Sequence, residues 1–206
     1  MSKIKKIDLP GQDAQVLLAP DFRKESLKIN YNIEHAKRAG VMILFYPGQN
    51  DQTHLVLILR KSYKGVHSNQ VALPGGKEEK KDNNLIATAL RETEEEIGVE
   101  ASSIEVIRPM TELYIPPSNY IVKPTFAKVD YLPQFKPQAS EVEKIIPIQL
   151  EDLLLPSNIK PCIINTSYAG QKEVMSYQVN GYTIWGATAM MLSELQVLLK
   201  NIDLYP

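Results

Sequence analysis

A double glycine followed by an acidic helical stretch, residues 75–99, constrains this chain more than any other feature. The stretch reads GGKEEKKDNNLIATALRETEEEIGV and passes from Gly75 and Gly76 through a charged turn into a helical pattern. For a helix over residues 83–97, apolar positions in 4-3-4 spacing predict one stripe that faces the core: Ile86, Leu90, Thr93 and Ile97. The stretch therefore predicts a tight turn that leads into an amphipathic helix.

Three glutamates of this helix, Glu92, Glu95 and Glu96, fall on a different face, within about one quadrant of the helical wheel. Carboxylates packed this closely repel one another in water, so the arrangement favours a divalent cation that neutralises them. Mg²⁺ binds carboxylate oxygens, keeps several waters and completes its shell with substrate phosphates. A solvated acidic helix is the alternative, and the position of the run directly after a Pro-Gly-Gly turn argues against it.

The residues that frame the glutamates support the same interpretation. Arg91 lies one turn before Glu95 and is expected to orient it as an i,i+4 partner. Gly98 is expected to end the helix. Gly75 and Gly76 let the backbone approach a metal ion or phosphates closely, and a carbonyl at Gly76 is a candidate oxygen ligand.

This stretch resembles the Nudix box, the loop-helix motif of hydrolases that act on nucleoside diphosphates linked to another moiety. The matching residues are Arg91, Glu92, Glu95, Glu96, Gly98 and Val99, with Thr93 at the first apolar position. Asp82 stands near the place of an earlier glutamate, and the gap from Asp82 to Arg91 is one residue longer than usual. We interpret Asp82 as the helix N-cap, without a metal role.

A second set of residues resembles the coenzyme A diphosphatase branch of the Nudix family. Arg60, His67 and Gln70 precede the glycines at that branch's spacing, and the longer gap inside the box also belongs to it. The resemblance implies that these three residues and Gly75 contact substrate, although a lone histidine is as readily structural. Lys61, Asn69 and Leu73 depart from the branch's usual residues, so the fine substrate contacts need not be the same.

Two later segments extend the resemblance to most of residues 40–200. In TELYIPPSNYIVKPTFA, Tyr114 and Tyr120 could stack an adenine or line a pantetheine groove, or be ordinary strand aromatics. Glu141 is a candidate late glutamate that serves as base or extra ligand, or a solvated loop residue. The segment TIWGATAMMLSEL is similar to the start of that branch's last helix.

The resemblance implies the Nudix fold, an α/β/α sandwich with a mixed β-sheet. Residues 1–40 are expected to form an N-terminal extension packed on a domain of residues 41–206. The pattern itself predicts a hairpin from VMILFY and HLVLILRK, strands at about 102–113 and 120–130, and a short LEDLL helix. Asn180-Gly181 predicts a hairpin turn, and Cys162 is expected to be buried. A last amphipathic helix carries Ala189, Leu192, Leu195, Leu199 and Ile202.

Composition narrows the partners and the compartment. The formal net charge of −1 argues against nucleic acid as the main partner, and no run approaches the ~20 apolar residues of a membrane span. A single cysteine excludes a disulfide framework and favours the reducing cytoplasm, and the first residues lack the apolar core of a signal peptide. Nudix enzymes often form homodimers, but the sequence identifies no interface.

The resemblance implies hydrolysis of the diphosphate of coenzyme A or its thioesters with Mg²⁺ or Mn²⁺. The products would be 3′,5′-ADP and 4′-phosphopantetheine or its acyl form. Glu95, oriented by Arg91, or else Glu141 would take the proton from the attacking water. Two alternatives stay open: a Nudix hydrolase of another small molecule such as ADP-ribose or NADH, and a Nudix-fold binding module without catalysis.

Overall fold

The computed structural model describes residues 4–27, 33–49, 52–61, 69–166 and 170–202, with no side chains described at 25–27. An eight-stranded sheet forms the centre. Its strands are β1 (Lys37–Pro47), β2 (Thr53–Arg60), β3 (Val71–Ala72), β4 (Gly75–Lys77), β5 (Glu105–Pro109), β6 (Leu113–Ile115), β7 (Tyr120–Lys128) and β8 (Val142–Gln149). A three-stranded sheet contains β9 (Ile159–Thr166), β10 (Gly170–Val179) and β11 (Tyr182–Ile184). The helices are α1 (Gly11–Val16), α2 (Asp21–Leu27), α3 (Leu85–Ile97), α4 (Leu150–Leu154) and α5 (Gly186–Lys200).

The central sheet is mixed, and helices cover both of its faces. The β1 strand pairs in parallel with β7 and antiparallel with β2 and β4. Alternate residues of β1 belong to different core clusters, as the two-residue period of a strand requires: Met42 and Leu44 pack with α3, whereas Ile43 and Phe45 pack with α4 and α5. The predicted α/β/α sandwich with a mixed sheet is therefore confirmed.

Most strand predictions hold, with one change. The first predicted hairpin is present, with Phe45 opposite Leu55. The strand expected over 102–113 is instead two short strands, β5 and β6, which both pair with β7. The double glycine, expected as a turn, lies in β4, where Gly76 pairs with Gly40. This pairing places the end of α3 directly beside β4.

The α3 helix begins two residues later than predicted, and its cap is a different residue. Asn84 is the N-cap, and its Oδ1 accepts hydrogen bonds from the amides of Ile86 and Ala87 at 2.9 and 3.0 Å. The prediction that Asp82 caps the helix is wrong. Gly98 ends the helix in a left-handed conformation with φ of 74°, as predicted.

The core-facing stripe of α3 is also rotated relative to the prediction. Thr93 and Ile97 are buried as expected, but Ile86 and Leu90 are only partly buried. The helix lies so close to β1 that a Cβ on Gly40 would be 2.1 Å from the Leu85 carbonyl oxygen. The buried face therefore includes small residues and one glutamate: Leu85, Thr88, Ala89, Thr93, Glu96 and Ile97.

The C-terminal third supplies the second sheet and the last helix. Asn180 and Gly181 form the turn between β10 and β11, as predicted. The predicted apolar residues of α5 are buried in the core. Cys162, however, is partly exposed: it shares the covered face of this sheet with its buried partner Val174, but it lies on the edge strand β9.

The described part of the N-terminal extension packs into the same core as α5. Ser193 Oγ donates to the Ala14 carbonyl at 2.7 Å, and Gln15 Nε2 donates to Glu194 Oε2 at 2.9 Å. Ile4 and Leu18 are buried in the main cluster. The boundary at residue 40 remains a prediction, and β1 already begins at Lys37. In the described ranges, none of the helices has the length and apolar character needed to cross a membrane.

Candidate active site

An open cavity of about 650 Å³ lies where α3, β4, β3, α5 and the N-terminal extension meet. It brings together most of the residues that the sequence singled out, although they come from distant parts of the chain. Those that line it are Arg60, Gln70, Gly75, Gly76, Glu92, Glu95 and Glu141. Glu96 and Arg91 lie directly behind this lining and contact it.

Arg91 connects the helix to the loop before it. Its Nη1 donates to Glu92 Oε1 at 2.8 Å and to Glu95 Oε2 at 3.1 Å, so the predicted contact with Glu95 is present. Its Nε and Nη2 donate to the two oxygens of Asp82 at 3.0 and 2.9 Å, and Nη2 also donates to the Lys77 carbonyl at 3.1 Å. One guanidinium thus fixes two cavity glutamates, with geometry that an ammonium could not reproduce.

Asp82 belongs to the candidate site through its contacts with Arg91, whereas the sequence analysis assigned it only a capping role. Besides Arg91, its Oδ2 accepts from Thr88 Oγ1 at 3.0 Å and from the Glu79 amide at 2.9 Å. The hydrogen bonds from Arg91 hold the pKa of the Asp82 carboxyl well below its usual range. Asp82 lies near the position where the motif usually has an earlier glutamate, and this was the signal in the sequence. The spacing alone did not show that Arg91 would be its partner.

Glu96 lies on the buried face of α3, whereas the prediction placed it with Glu92 and Glu95 on a face different from the core-facing stripe. Its side chain is 1% exposed, and its Oε2 accepts a hydrogen bond from the Gly75 amide at 2.7 Å. Its Oε1 lies 3.6 Å from Arg60 Nη1 and has no hydrogen-bond donor among the described residues. Burial raises the pKa of Glu96 to about 7. The Gly75 amide is therefore already engaged, and a substrate contact at Gly75 would have to use other atoms.

Glu92 is held against Gly76, where a side chain would not fit. A Cβ built on Gly76 would lie 2.5 Å from the Glu92 carboxyl carbon and 2.6 Å from both oxygens. The Glu92 side chain is 14% exposed, and burial raises its pKa, which Arg91 partly offsets. Gly76 is therefore required for the close approach of the Glu92 carboxylate to the backbone.

The candidate substrate residues surround the same opening. Glu141 is exposed at the cavity, and its carbonyl accepts from the Lys61 amide at 2.9 Å. The Arg60 amide donates to the Gln70 carbonyl at 3.0 Å, which holds these two residues side by side. His67, the third predicted substrate residue, lies outside the described residues.

The two predicted tyrosines differ in position. Tyr120 lines the cavity, and Lys37 Nζ lies 5.5 Å from the centroid of its ring. The lining residues do not include Tyr114, whose hydroxyl donates to Asn119 Oδ1 at 3.0 Å. A stacking role is thus compatible with the position of Tyr120 alone.

The carboxylates of the site are the ligand type that a divalent cation prefers. Their present positions, however, do not surround a single point where such an ion could bind. Among the residues described, no group of three or more acidic, histidine or cysteine side chains is arranged to hold a metal ion. Arg91 draws the Glu92 and Glu95 carboxylates to itself, and Arg60 faces Glu96. The Oε1 atom of Glu96, buried without a donor beside an open cavity, is the acceptor that a hard cation would satisfy.

The sequence of this chain matches a known protein family and several of its members. Residues 36–161 match the NUDIX domain family. Nudix hydrolase 15, mitochondrial, from Arabidopsis thaliana is 32% identical over 163 residues, which cover 76% of this chain and 56% of that protein. The uncharacterized Nudix hydrolase NudL from Yersinia pestis (strain Pestoides F) is 33% identical over 141 residues, which cover 68% of this chain and 70% of that protein. The chain spans about half the length of the plant relatives it matches.

Two solved structures share the fold. A Nudix hydrolase from M. smegmatis, RenU, gives a TM-score of 0.51 at 14% identity and covers 83% of this chain and 88% of its own. A MutT/nudix family protein from Enterococcus faecalis gives a TM-score of 0.52 at 17% identity and covers 88% of this chain and 68% of its own. At these identities the likeness concerns the fold alone.

Proposed function

Because the chain belongs to the NUDIX domain family, we propose that it is a metal-dependent hydrolase that cleaves the diphosphate of coenzyme A or its thioesters. The products are 3′,5′-ADP and 4′-phosphopantetheine or its acyl form. The observation that carries the proposal is the convergence of Glu92, Glu95 and Glu141 on one cavity with the backbone of Gly76. We expect the protein to act in the reducing cytoplasm.

The acidic side of the cavity would hold Mg²⁺ or Mn²⁺. Glu92, Glu95 and Glu96 supply carboxylate oxygens, and the Gly76 carbonyl is a further candidate ligand. When bound, the cation neutralises the diphosphate, polarises a phosphoryl oxygen and lowers the pKa of a bound water. Arg91 holds Glu92 Oε1 and Glu95 Oε2, so a cation would bind the oxygens that Arg91 does not contact or share those that it does.

Glu95 and Glu141 are the two candidates for the general base. The Glu95 carboxylate is 44% exposed, with its Oε2 held by Arg91 and its Oε1 3.8 Å from Lys81 Nζ, beyond hydrogen-bond distance, where a water could reach it. Glu141 reaches the cavity from the start of β8 and has an exposed side chain. Either carboxylate could accept the proton of the attacking water while the cavity positions the phosphorus.

Arg60, Gln70 and His67 are proposed to contact the substrate. Arg60 combines a positive charge with a place on the cavity wall, which suits a phosphate oxygen. The coenzyme A assignment rests on the resemblance of these three residues and the adjoining QVALPGG segment to the coenzyme A branch. Gly75 is also proposed to contact the substrate because it lines the cavity, although its amide donates to Glu96.

A substrate panel tests the proposal. Purified protein is incubated with Mg²⁺ or Mn²⁺ and, in separate reactions, coenzyme A, ADP-ribose or NADH, and kcat/KM is measured from chromatographic product analysis. We expect 3′,5′-ADP from coenzyme A at a kcat/KM at least tenfold above either alternative. Faster turnover of ADP-ribose or NADH would retain the hydrolase and contradict the substrate assignment. Metal binding without turnover of any diphosphate would identify a binding module instead.

A further inference from the structure

We propose that the N-terminal extension is a specificity element that selects an apolar group on the non-nucleotide arm of the substrate. The inference rests on the proposed function and concerns the part of the cavity away from the glutamates. Five side chains, called the apolar wall here, line this part: Pro20, Phe22, Ile115, Val122 and Met191. They come from the extension, β6, β7 and α5.

The sheet register separates the apolar wall from the catalytic side. On one edge of β1, Gly40 pairs with Gly76 of β4, against which Glu92 lies. On the other edge, Ala39 pairs with Val122 of β7, and β7 in turn pairs with β6. At about 4.8 Å per strand, the three steps from β4 to β6 span roughly 14 Å. Val122 faces the side of the sheet opposite α3, so the arm attached to a diphosphate at Glu92 would reach the apolar wall through the cavity that both residues line.

Contacts with the main domain hold the extension over this part of the cavity. Arg23 donates from Nη2 to the Tyr114 carbonyl of β6 and is 7% exposed. Leu18 and Ala19 are buried in the main core immediately before Pro20. Phe22, half-buried between these anchors, is therefore fixed as part of the cavity wall.

The chemistry of the wall favours an aliphatic ligand over a nucleobase. A bound base needs polar partners for its edge, whereas the five wall side chains are apolar. The polar side chains that line the cavity near the wall are Arg23, Ser118, Tyr120 and Thr188, of which Arg23 donates to the Tyr114 carbonyl and Thr188 Oγ1 donates to the Val71 carbonyl at 3.1 Å. Each methylene buried against such a wall strengthens binding about fourfold, so the ligand class that fits is an acyl chain carried by the substrate.

The family match covers only part of this wall. Pro20, Phe22 and Met191 lie outside residues 36–161, which match the family. The catalytic glutamates of α3, by contrast, lie inside the matched range. The family match thus includes the α3 glutamates and two of the five wall residues, Ile115 and Val122, while the other three wall residues lie in segments that flank it.

The test combines binding and turnover for coenzyme A and its acetyl, butyryl, hexanoyl and octanoyl thioesters. Binding is measured by isothermal titration calorimetry without added divalent metal, and kcat/KM is measured with Mg²⁺. We expect affinity and kcat/KM to rise by about two- to fourfold per methylene until the wall is covered. Phe22→Ala should reduce the octanoyl-to-free coenzyme A ratio of kcat/KM at least fivefold, chiefly through KM. The matched control Leu17→Ala, at a neighbouring residue that is 62% exposed and does not line the cavity, should keep the wild-type ratio.

The outcomes separate this inference from the proposed function. Turnover of coenzyme A without any dependence on chain length would overturn the inference and leave the hydrolase in place. Binding that strengthens with chain length, without turnover, would support the apolar wall and contradict the hydrolase. Thermal unfolding of Phe22→Ala guards against loss of the fold, and Phe22→Leu, which keeps an apolar side chain, should retain most of the wild-type ratio.

Discussion

At the residue scale, the environment of Glu96 allows its effect on catalysis to be separated from its effect on folding stability. Its Oε2 accepts from the Gly75 amide, while its charge faces Arg60 and the other glutamates. Glutamine keeps a carbonyl oxygen for the Gly75 amide but removes the carboxylate charge. We predict that Glu96→Gln lowers kcat/KM by about 10²-fold or more while the free energy of unfolding changes by less than about 1 kcal/mol.

Steady-state kinetics and urea unfolding check this prediction. Glu94→Gln is the matched control, because Glu94 lies on the exposed side of the same helix and outside the cavity lining. It should retain the wild-type kcat/KM. Near-normal turnover by Glu96→Gln would exclude Glu96 as a metal ligand.

Gly76 provides a second prediction at this scale. The three atoms nearest a methyl group there belong to the Glu92 carboxyl group at the end of its side chain, so Gly76→Ala should displace the carboxylate at little cost to the fold. We expect kcat/KM to fall about 10²-fold, since a shift of about 1 Å in a catalytic group has an effect of this size. Gly40→Ala is the contrasting variant, because its methyl group meets the backbone of α3. It should lower the melting temperature strongly, and equal stability losses in the two variants would contradict this assignment.

At the element scale, the loop before α3 is tied to the helix through Asp82. Asp82→Asn keeps the shape but loses the charge that holds Arg91, and through Arg91 the cavity glutamates Glu92 and Glu95. We predict a loss of about 1–3 kcal/mol in unfolding free energy at neutral pH and a lower kcat. Asp130→Asn, at an exposed aspartate away from the cavity, should change neither quantity appreciably.

The same pair predicts a pH dependence of stability. The pKa of Asp82 is lowered in the folded chain, so its contribution is fully present above the ordinary aspartate pKa and is lost as the pH falls towards the folded value. The difference in unfolding free energy between wild type and Asp82→Asn should therefore narrow below about pH 4. Urea titrations between neutral pH and pH 3 measure it, and a constant difference would contradict the account.

The helix also shows which part of the site the sequence could predict. Motif spacing identified the residues of α3 and its end at Gly98, because these depend on local backbone preferences. Helical periodicity placed three glutamates on one face but could not reveal that Glu96 would be buried. That outcome depends on β4, whose Gly75 amide supplies a hydrogen bond from 21 residues earlier in the chain. The Asp82–Arg91 pair was missed for a related reason, since a loop conformation sets its geometry.

At the scale of the whole molecule, hairpin and sheet predictions succeeded where turn signals and apolar runs were clear. The pairing of β1 with β7 in parallel and the place of the extension against α5 involve distant segments, which a local pattern does not encode. The partial exposure of Cys162 follows from its place on an edge strand of the second sheet, which only the assembled fold defines. Residues 1–35, which are most of the extension, also lie outside the range that matches the family.

The extension should unfold together with the domain. Leu18 is 5% exposed in the main core, whereas its neighbour Leu17 is 62% exposed. We predict that Leu18→Ala lowers the unfolding free energy by about 2–4 kcal/mol in a single transition, and that Leu17→Ala has little effect. Thermal unfolding followed by circular dichroism measures both, and a separate early transition would show that the extension is not part of the cooperative unit.

The proposed hydrolysis of the diphosphate of coenzyme A requires both the glutamate cavity and a divalent metal. The most direct measurement is chromatographic detection of 3′,5′-ADP formed from coenzyme A by the wild-type protein, with Mg²⁺ or Mn²⁺ and after chelation by EDTA. We expect the wild-type protein to release 3′,5′-ADP when metal is present. We expect no release after chelation by EDTA or from the Glu96→Gln variant. Absence of 3′,5′-ADP with either metal, or equal release in Glu96→Gln, would contradict it.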